Sequence, residues 1–398
     1  MFRKLVSHND DIRRLVEKGY AVGFDSNHLI VRDIPYLDER GALQWGAFVT
    51  KLEFTDPEHV KQYNHQVYFT GTEPHNLDGT PIRNLGSTAA TLALSEAATD
   101  VVVQRQFSNK RRVNGQNVDY VDFFEKIDSY ASLIHAPANA KHDAHPYTFR
   151  CVETVAEDTV FKIQDTLTSR AEITDLAAKF KDEVVSVIGL GGTGAYLLDY
   201  LAKTRVKEIR AFDRDEYHVH NAFRSPGRFE STEFRRTKAE VYQARYENFR
   251  HGLSAQPKFV NASAAGDLRG VTFAFVCVDK GSSRAAIFDL LISMQIPFID
   301  VGMGLNRKHG SLNGMLRVTY YSPEDAQKLR AKNLAEMSDR PDDEYRNNIQ
   351  SGELNALNAA LAIIKYKQLK GFYFEQDPLF HMLFEIADLK IVGRSEAA

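Results

Sequence analysis

From residue 183 onward the chain alternates short apolar runs with stretches whose apolar positions return every three or four residues. Val184–Ile188 is apolar-rich and closed by glycines, which predicts a buried strand. Tyr196–Ala202 continues as a helix, and Glu208–Phe212 predicts a second strand ending in acids. Thr237–Phe249 is expected to be helical, Phe273–Val278 a third strand, Ser282–Met294 a helix and Phe298–Val301 a fourth strand. This alternation predicts an α/β fold, a Rossmann-like mostly parallel sheet flanked by helices on both faces. Later, Leu354, Leu357, Leu361 and Ile364 recur at helical spacing and Gly371 supplies a stop. That stripe is expected to pack into the core.

The first 150 residues have another rhythm, with short strand-like runs and many turn residues. A helix is predicted over Asp10–Lys18, closed by Gly19. Strands are predicted at Leu29–Ile34, Ala47–Phe54 and Gln66–Thr70, and Gly71–Pro81 is rich in turn residues. Asn114-Gly115 between polar flanks signals a hairpin. Asp119–Ile134 reads as a helix and His135–Pro146 as a loop. The expected organisation is a smaller α+β domain over residues 1–150, a connecting segment over 151–182, and the α/β domain over 183–398.

Composition narrows the classes. Hydrophobic residues make up 43% and charged residues 26%, so a packed core forms and disorder is excluded. Lys and Arg total 50 against 53 Asp and Glu, which argues against a dedicated nucleic-acid binder. The 2 cysteines, Cys151 and Cys277, cannot build a disulfide framework or a four-cysteine zinc site, so a reducing cytoplasm is the expected location. No apolar run reaches the roughly 18 residues of a membrane span, and the start lacks the apolar stretch of a signal peptide.

Gly189-Leu190-Gly191-Gly192-Thr193-Gly194 follows a predicted strand and opens a predicted helix. Glycine lets the backbone turn tightly and approach a phosphate, and the helix N-terminus offers free N–H groups. The next strand ends at Asp213, placed to accept hydrogen bonds from a ribose hydroxyl. The bland alternative is a tight structural turn in some other sheet protein. No GxxxxGK[ST] sequence is present, so this is not an ordinary phosphate-loop NTPase. A dehydrogenase needs little beyond this fingerprint. This chain adds Asp215, Asn221, Arg224, Lys238 and, at the end of the third strand, Asp279. Cations soon after the ribose acid suit a triphosphate, and Asp279 is placed to hold Mg²⁺ on it.

The run IleGlyLeuGlyGlyThrGly, then AspArgAsp, AsnAlaPheArg, ThrLysAla and CysValAspLys, resembles the ThiF/MoeB/HesA family of adenylating enzymes related to ubiquitin-activating enzymes. The match covers roughly residues 165–305, with a looser one in the helix Glu353–Lys370. The resemblance implies ATP and Mg²⁺ as cofactors. It implies adenylation of a carboxylate, usually the C-terminal glycine of a ubiquitin-like or small β-grasp protein, by a homodimer. By position, Gly189, Gly191, Gly192 and Gly194 correspond to the nucleotide loop, Asp213 to the ribose ligand and Asp215 to its neighbour. Asn221, Arg224 and Lys238 correspond to the phosphate-contacting set, and Asp279 to the Mg²⁺-associated acid. The family's further arginine, donated across the dimer, has no clear counterpart; Arg170 is the candidate.

Three departures stand out. Residues 303–398 hold no cysteine to receive the acyl group, and Cys277 lies in an apolar strand where a small buried hydrophobe is expected. The enzyme is therefore expected to stop at the acyl-adenylate, or to rely on a conjugating or sulfur-transfer partner for the thiol or amine. The paired CxxC motifs of several relatives are missing, so zinc is not expected. Ser225 stands where a glutamine often follows the family's arginine. The competing readings are a catalytically degenerate ATP-binding scaffold, adenylation of a non-protein acid such as a modified tRNA nucleoside, and a dinucleotide-dependent oxidoreductase.

Overall fold

The computed structural model describes residues 2–94, 98–150, 152, 159–163, 165, 167–168, 171, 173–308, 310–339 and 349–395. Cys151 and Arg170 lie outside the described residues. The chain divides into two compact units, Met1–Thr159 with Ile163–Asp175, and Val160–Lys162 with Leu176–Ala398. No helix among the described residues is long and apolar enough to cross a membrane.

The first unit opens with α1 (Phe2–His8) and α2 (Asp10–Lys18), the latter stopped by Gly19 in the left-handed region. An antiparallel sheet follows, built from β1 (Ala21–Asp25), β2 (His28–Leu37), β3 (Leu43–Phe54), β4 (Val60–Gln62), β5 (Val67–Thr70), β6 (Thr88–Ala89) and β7 (Arg105–Phe107). Asn114-Gly115 joins β8 (Arg111–Val113) to β9 (Gln116–Val118), both turn residues having positive φ, as a tight hairpin requires. Helix α3 (Phe123–His142) buries Phe123, Ile127, Tyr130, Ala131 and Ile134. The expected loop over His135–Pro146 is wrong as far as His142, where the helix ends. The apolar face continues to Ala138, and Lys141 and His142 suit the negative helix end. Packing there outweighs the cost of Pro137, which removes one helical hydrogen bond.

The second unit is a sheet of strand order β12-β11-β10-β13-β14-β15-β16-β17. The first five are parallel: β10 (Val184–Ile188), β11 (Glu208–Phe212), β12 (Leu253–Gln256), β13 (Phe273–Val276) and the start of β14 (Phe298–Lys308). The mostly parallel, Rossmann-like sheet is thus present. It is completed by an antiparallel half, β15 (Ser311–Tyr321), β16 (His381–Glu385) and β17 (Lys390–Arg394). The fourth strand does not end at Val301 but runs on to Lys308, because β15 pairs with it along its whole length. Helices α4 (Gly192–Ala202), α5 (Val219–Ala222), α6 (Lys238–Glu247), α7 (Gly281–Ser293) and α8 (Gly352–Leu369) connect or cover the strands.

The leucine stripe on α8 is a second correction. Leu354 and Leu357 are only half-buried and Ile364 is exposed, while Leu361 packs against the edge of the core. The core face is Asn355, Asn358, Ala359, Ala362, Ile363 and Tyr366. Its asparagines bond to neighbouring elements: Asn358 Nδ2 donates to the Gly302 carbonyl at 3.1 Å.

Candidate nucleotide-binding site

The glycine turn lies at the C-terminal end of β10. Gly189 has φ +95°, and a Cβ there would come within 2.7 Å of the Cys277 carbonyl, so only glycine fits. Gly191 precedes the first turn of α4, and a Cβ there would meet nothing within 4 Å, leaving its backbone open to a ligand. A Cβ on Gly194 would lie 1.9 Å from the Gly189 carbonyl. Its role is close packing of helix on turn, and it does not border the crevice.

Parallel strands ending side by side leave a crevice of about 1320 Å³ at their C-terminal edge. Gly189, Gly191, Gly192, Asp213, Asp215, Arg224, Lys238 and Asp279 all border it. Asp213 accepts from the backbone N–H of Leu190 at 2.7 Å and of Asp215 at 2.8 Å, so the acid at the end of β11 is tied to the glycine turn. Burial raises its carboxyl above the ordinary range, against the pull of Lys238 and those two N–H groups. The Lys238 ammonium lies 2.8 Å from Asp215 and 3.5 Å from Asp213.

Arg224 differs from Lys238 in having no side-chain hydrogen bond or ion pair among the described residues. Its Nε is buried and has no hydrogen-bond partner among the described residues. Burial lowers its pKa and the nearby charge of Asp279 raises it. Asn221 is absent from the crevice wall: it is buried, and its side-chain oxygen accepts from the His218 N–H at 2.8 Å, capping α5. Ser225 is likewise internal, donating to the Asn221 carbonyl at 2.7 Å.

Cys277 lies one residue beyond β13 and borders the crevice, half-buried instead of enclosed in the strand. Burial, reinforced by the Asp300 carboxylate, pushes its thiol pKa up, away from nucleophilic character.

Sequence reasoning missed several wall residues. Asn355 accepts from the Thr193 hydroxyl at 2.9 Å and donates to the Ser351 carbonyl at 2.9 Å, tying α8 to the glycine turn. Behind the wall, Asp300 is fully buried between two arginines that border the crevice, 3.1 Å from Arg284 and 2.5 Å from Arg317. Two guanidiniums against one carboxylate leave a net positive charge in the crevice wall. Asp339 accepts from the Ser282 N–H at 3.0 Å and its hydroxyl at 2.6 Å, capping α7. The available signal was an Asn-x-x-Asn pair among small residues on one face of a helix, a pattern that marks a close-packed polar contact.

A domain of unknown function, DUF6791, matches residues 10–166, and the ThiF family matches residues 160–365. No curated protein matches the chain. Among solved structures, E. coli MccB with ATP is 18% identical, with 56% of this chain and 67% of that chain covered and a TM-score of 0.43. E. coli MccB with AMPCPP and MccA is 16% identical, with 58% and 71% covered and a TM-score of 0.44. PaaA is 15% identical, with 56% and 67% covered and a TM-score of 0.43. The ThiF match spans over half of the 398 residues and includes the glycine turn, the crevice and α7, and on that ground the chain belongs to the ThiF family.

Proposed function

We propose that this protein is an ATP-dependent adenylyltransferase that activates the C-terminal carboxylate of a ubiquitin-like or other small protein or peptide, without a catalytic cysteine of its own. The single observation that carries the reading is Arg224, a half-buried cation bordering the crevice whose Nε has no partner among the described residues. A buried donor left unpaired is costly, and a polyphosphate anion supplies what it lacks. The glycine turn fits the same ligand, since the Gly191 backbone is open and the α4 N-terminus faces anions favourably.

The chemistry needs charge control more than proton transfer. A carboxylate oxygen of the substrate attacks the α-phosphorus, the bond to the bridging oxygen breaks, and pyrophosphate leaves with the electron pair. No general base is required, because the acid is already ionised at neutral pH. Two unit charges 4 Å apart repel by about 4 kcal/mol at an effective dielectric of 20. Arg224 and Lys238 oppose that repulsion and stabilise charge on the departing phosphates. Asp279, exposed at the crevice, is the residue that would hold Mg²⁺ together with phosphate oxygens and water, and the metal would add positive charge there. The acyl-adenylate then awaits a thiol or amine from a partner. Homodimerisation belongs to the same proposal.

The test is exchange of labelled pyrophosphate into ATP by the purified chain with Mg²⁺, against a panel of small β-grasp proteins ending in glycine. Exchange that appears with one of them and vanishes when its terminal carboxylate is amidated supports the reading. Tight ATP binding with no exchange across the panel contradicts it and favours a non-catalytic scaffold.

A further inference from the structure

We infer that the first unit carries a nucleophilic serine, Ser108, which His65 activates and Asp119 helps to orient, and which takes up acyl groups from activated esters or thioesters. The inference goes beyond the nucleotide reading and does not depend on it. The Ser108 hydroxyl lies 3.0 Å from His65 Nε2, and Nδ1 of the same ring lies 3.5 Å from the Asp119 carboxylate. A hydroxyl, an imidazole and a carboxylate in that order turn a neutral alcohol into a nucleophile.

The sheet brings the three together from separate segments. β5 and β7 run antiparallel with Val67 level with Phe107. His65, two residues before β5, and Ser108, one residue after β7, therefore meet at the same end of the pair. Asp119 directly follows β9. Tyr130 of α3 is fully buried beneath them; its hydroxyl lies 3.1 Å from the His65 carbonyl and accepts from the Asn109 N–H at 2.7 Å. One anchor thus holds the base and the residue beside the nucleophile, while Ser108 itself is exposed.

The charges suit a base. Burial, with Lys110 and Lys126 nearby, lowers the His65 pKa against the pull of Asp119, so the imidazole is neutral at pH 7. Lys110 lies 2.9 Å from Asp119 and holds that carboxyl below its ordinary range. An ionised Asp119 favours the ring proton on Nδ1, which leaves the Nε2 lone pair for the hydroxyl. In the step, Oγ bonds to the acyl carbon, its proton passes to Nε2, and the bond to the leaving oxygen or sulfur breaks with its electron pair. The substrate class follows from the neighbouring donors. The Ser108 N–H donates to the Leu85 carbonyl at 2.9 Å and the Asn109 N–H to Tyr130, so neither is free to stabilise an oxyanion. That restricts the site to acyl groups with good leaving groups and excludes amides.

The experiment treats the full chain with p-nitrophenyl acetate in the absence of nucleotide, following p-nitrophenolate release and mapping the acetyl group by peptide mass spectrometry. The intact chain should release one equivalent in a burst and carry the acetyl group on Ser108. Ser108→Ala should lose the label, and His65→Gln should slow its formation by about 10²- to 10⁴-fold, the worth of a general base. Asp119→Asn should slow the burst and move the pH inflection of its rate downward, because the ring loses the charge that raises its pKa. Cooperative unfolding of each variant checks that the fold is kept. An intact chain that takes no label, a label on another residue, or equal labelling of Ser108→Ala would overturn the inference and leave a cross-strand hydrogen bond only. Each of these results stands whether or not the second unit binds ATP.

Discussion

Gly192 and Asn355 leave no space between them: a Cβ on the glycine would lie 2.2 Å from the asparagine Nδ2. The amide is buried and bonded on both sides, to the Thr193 hydroxyl and the Ser351 carbonyl, so it has nowhere to retreat. The first turn of α4 and the N-terminal turn of α8 are thereby fixed to each other. Asn355→Ala leaves the Thr193 hydroxyl without its acceptor and is expected to cost about 1–3 kcal/mol in urea unfolding. Gly192→Ala should destabilise by a similar roughly 1–3 kcal/mol through overpacking and weaken ATP binding as well. Unchanged midpoints for both variants would show the contact to be unimportant.

Arg224 gives a prediction with opposite signs. Arg224→Ala removes a cation whose Nε is buried without a partner among the described residues, so stability should hold or rise slightly. Affinity for Mg-ATP should fall by about 10- to 150-fold, the worth of a charged hydrogen bond. Arg224→Lys should recover part of the loss, since an ammonium keeps the charge without the planar fork. Thermal denaturation alongside ATP titration checks both signs.

Much of this site was legible because its signals are local. The strand before Gly189, the glycine spacing and the acid after β11 are contiguous, and the hairpin at Asn114-Gly115 needs only two residues. What stayed hidden depends on distant partners. β14 continues through Gly302 and Gly304 only because β15 pairs with it, and those glycines disguise a strand. The α8 core face reads as polar until the partners of Asn355 and Asn358 are known.

His381 should make the second unit acid-sensitive. Burial, with Arg317 and Arg394 nearby, lowers its pKa to about 4, and Nδ1 lies 2.9 Å from the Thr319 hydroxyl. The unfolded chain takes up the proton near pH 6.5 and the folded chain does not until about pH 4. The unfolded state thus binds more protons in that window, and stability falls as pH drops through it. His381→Gln should flatten the dependence of unfolding on pH between those limits, whereas a parallel slope in the variant would assign the effect to other groups.

Lys126 places a separate window in the first unit. It is fully buried, donates to the Thr50 hydroxyl at 2.7 Å and the Asn64 carbonyl at 2.9 Å, and burial lowers its pKa to about 7 against the opposing pull of Asp11. A lysine with a folded pKa below its unfolded value binds its proton preferentially in the unfolded chain. Stability of this unit should therefore rise as pH climbs from about 7 towards about 10.5. Lys126→Met should remove that rise, read as the melting temperature of the first unit across the range.

A nucleoside triphosphate held on Arg224 and Lys238 in the crevice beyond β10 is what the adenylation chemistry requires. The most direct measurement is calorimetric titration of Mg-ATP into the intact chain and into the Arg224→Ala, Lys238→Met double variant. The intact chain should bind saturably, and a double variant that still unfolds cooperatively should not bind. Absence of binding by the intact chain, or undiminished binding by the folded double variant, would contradict it.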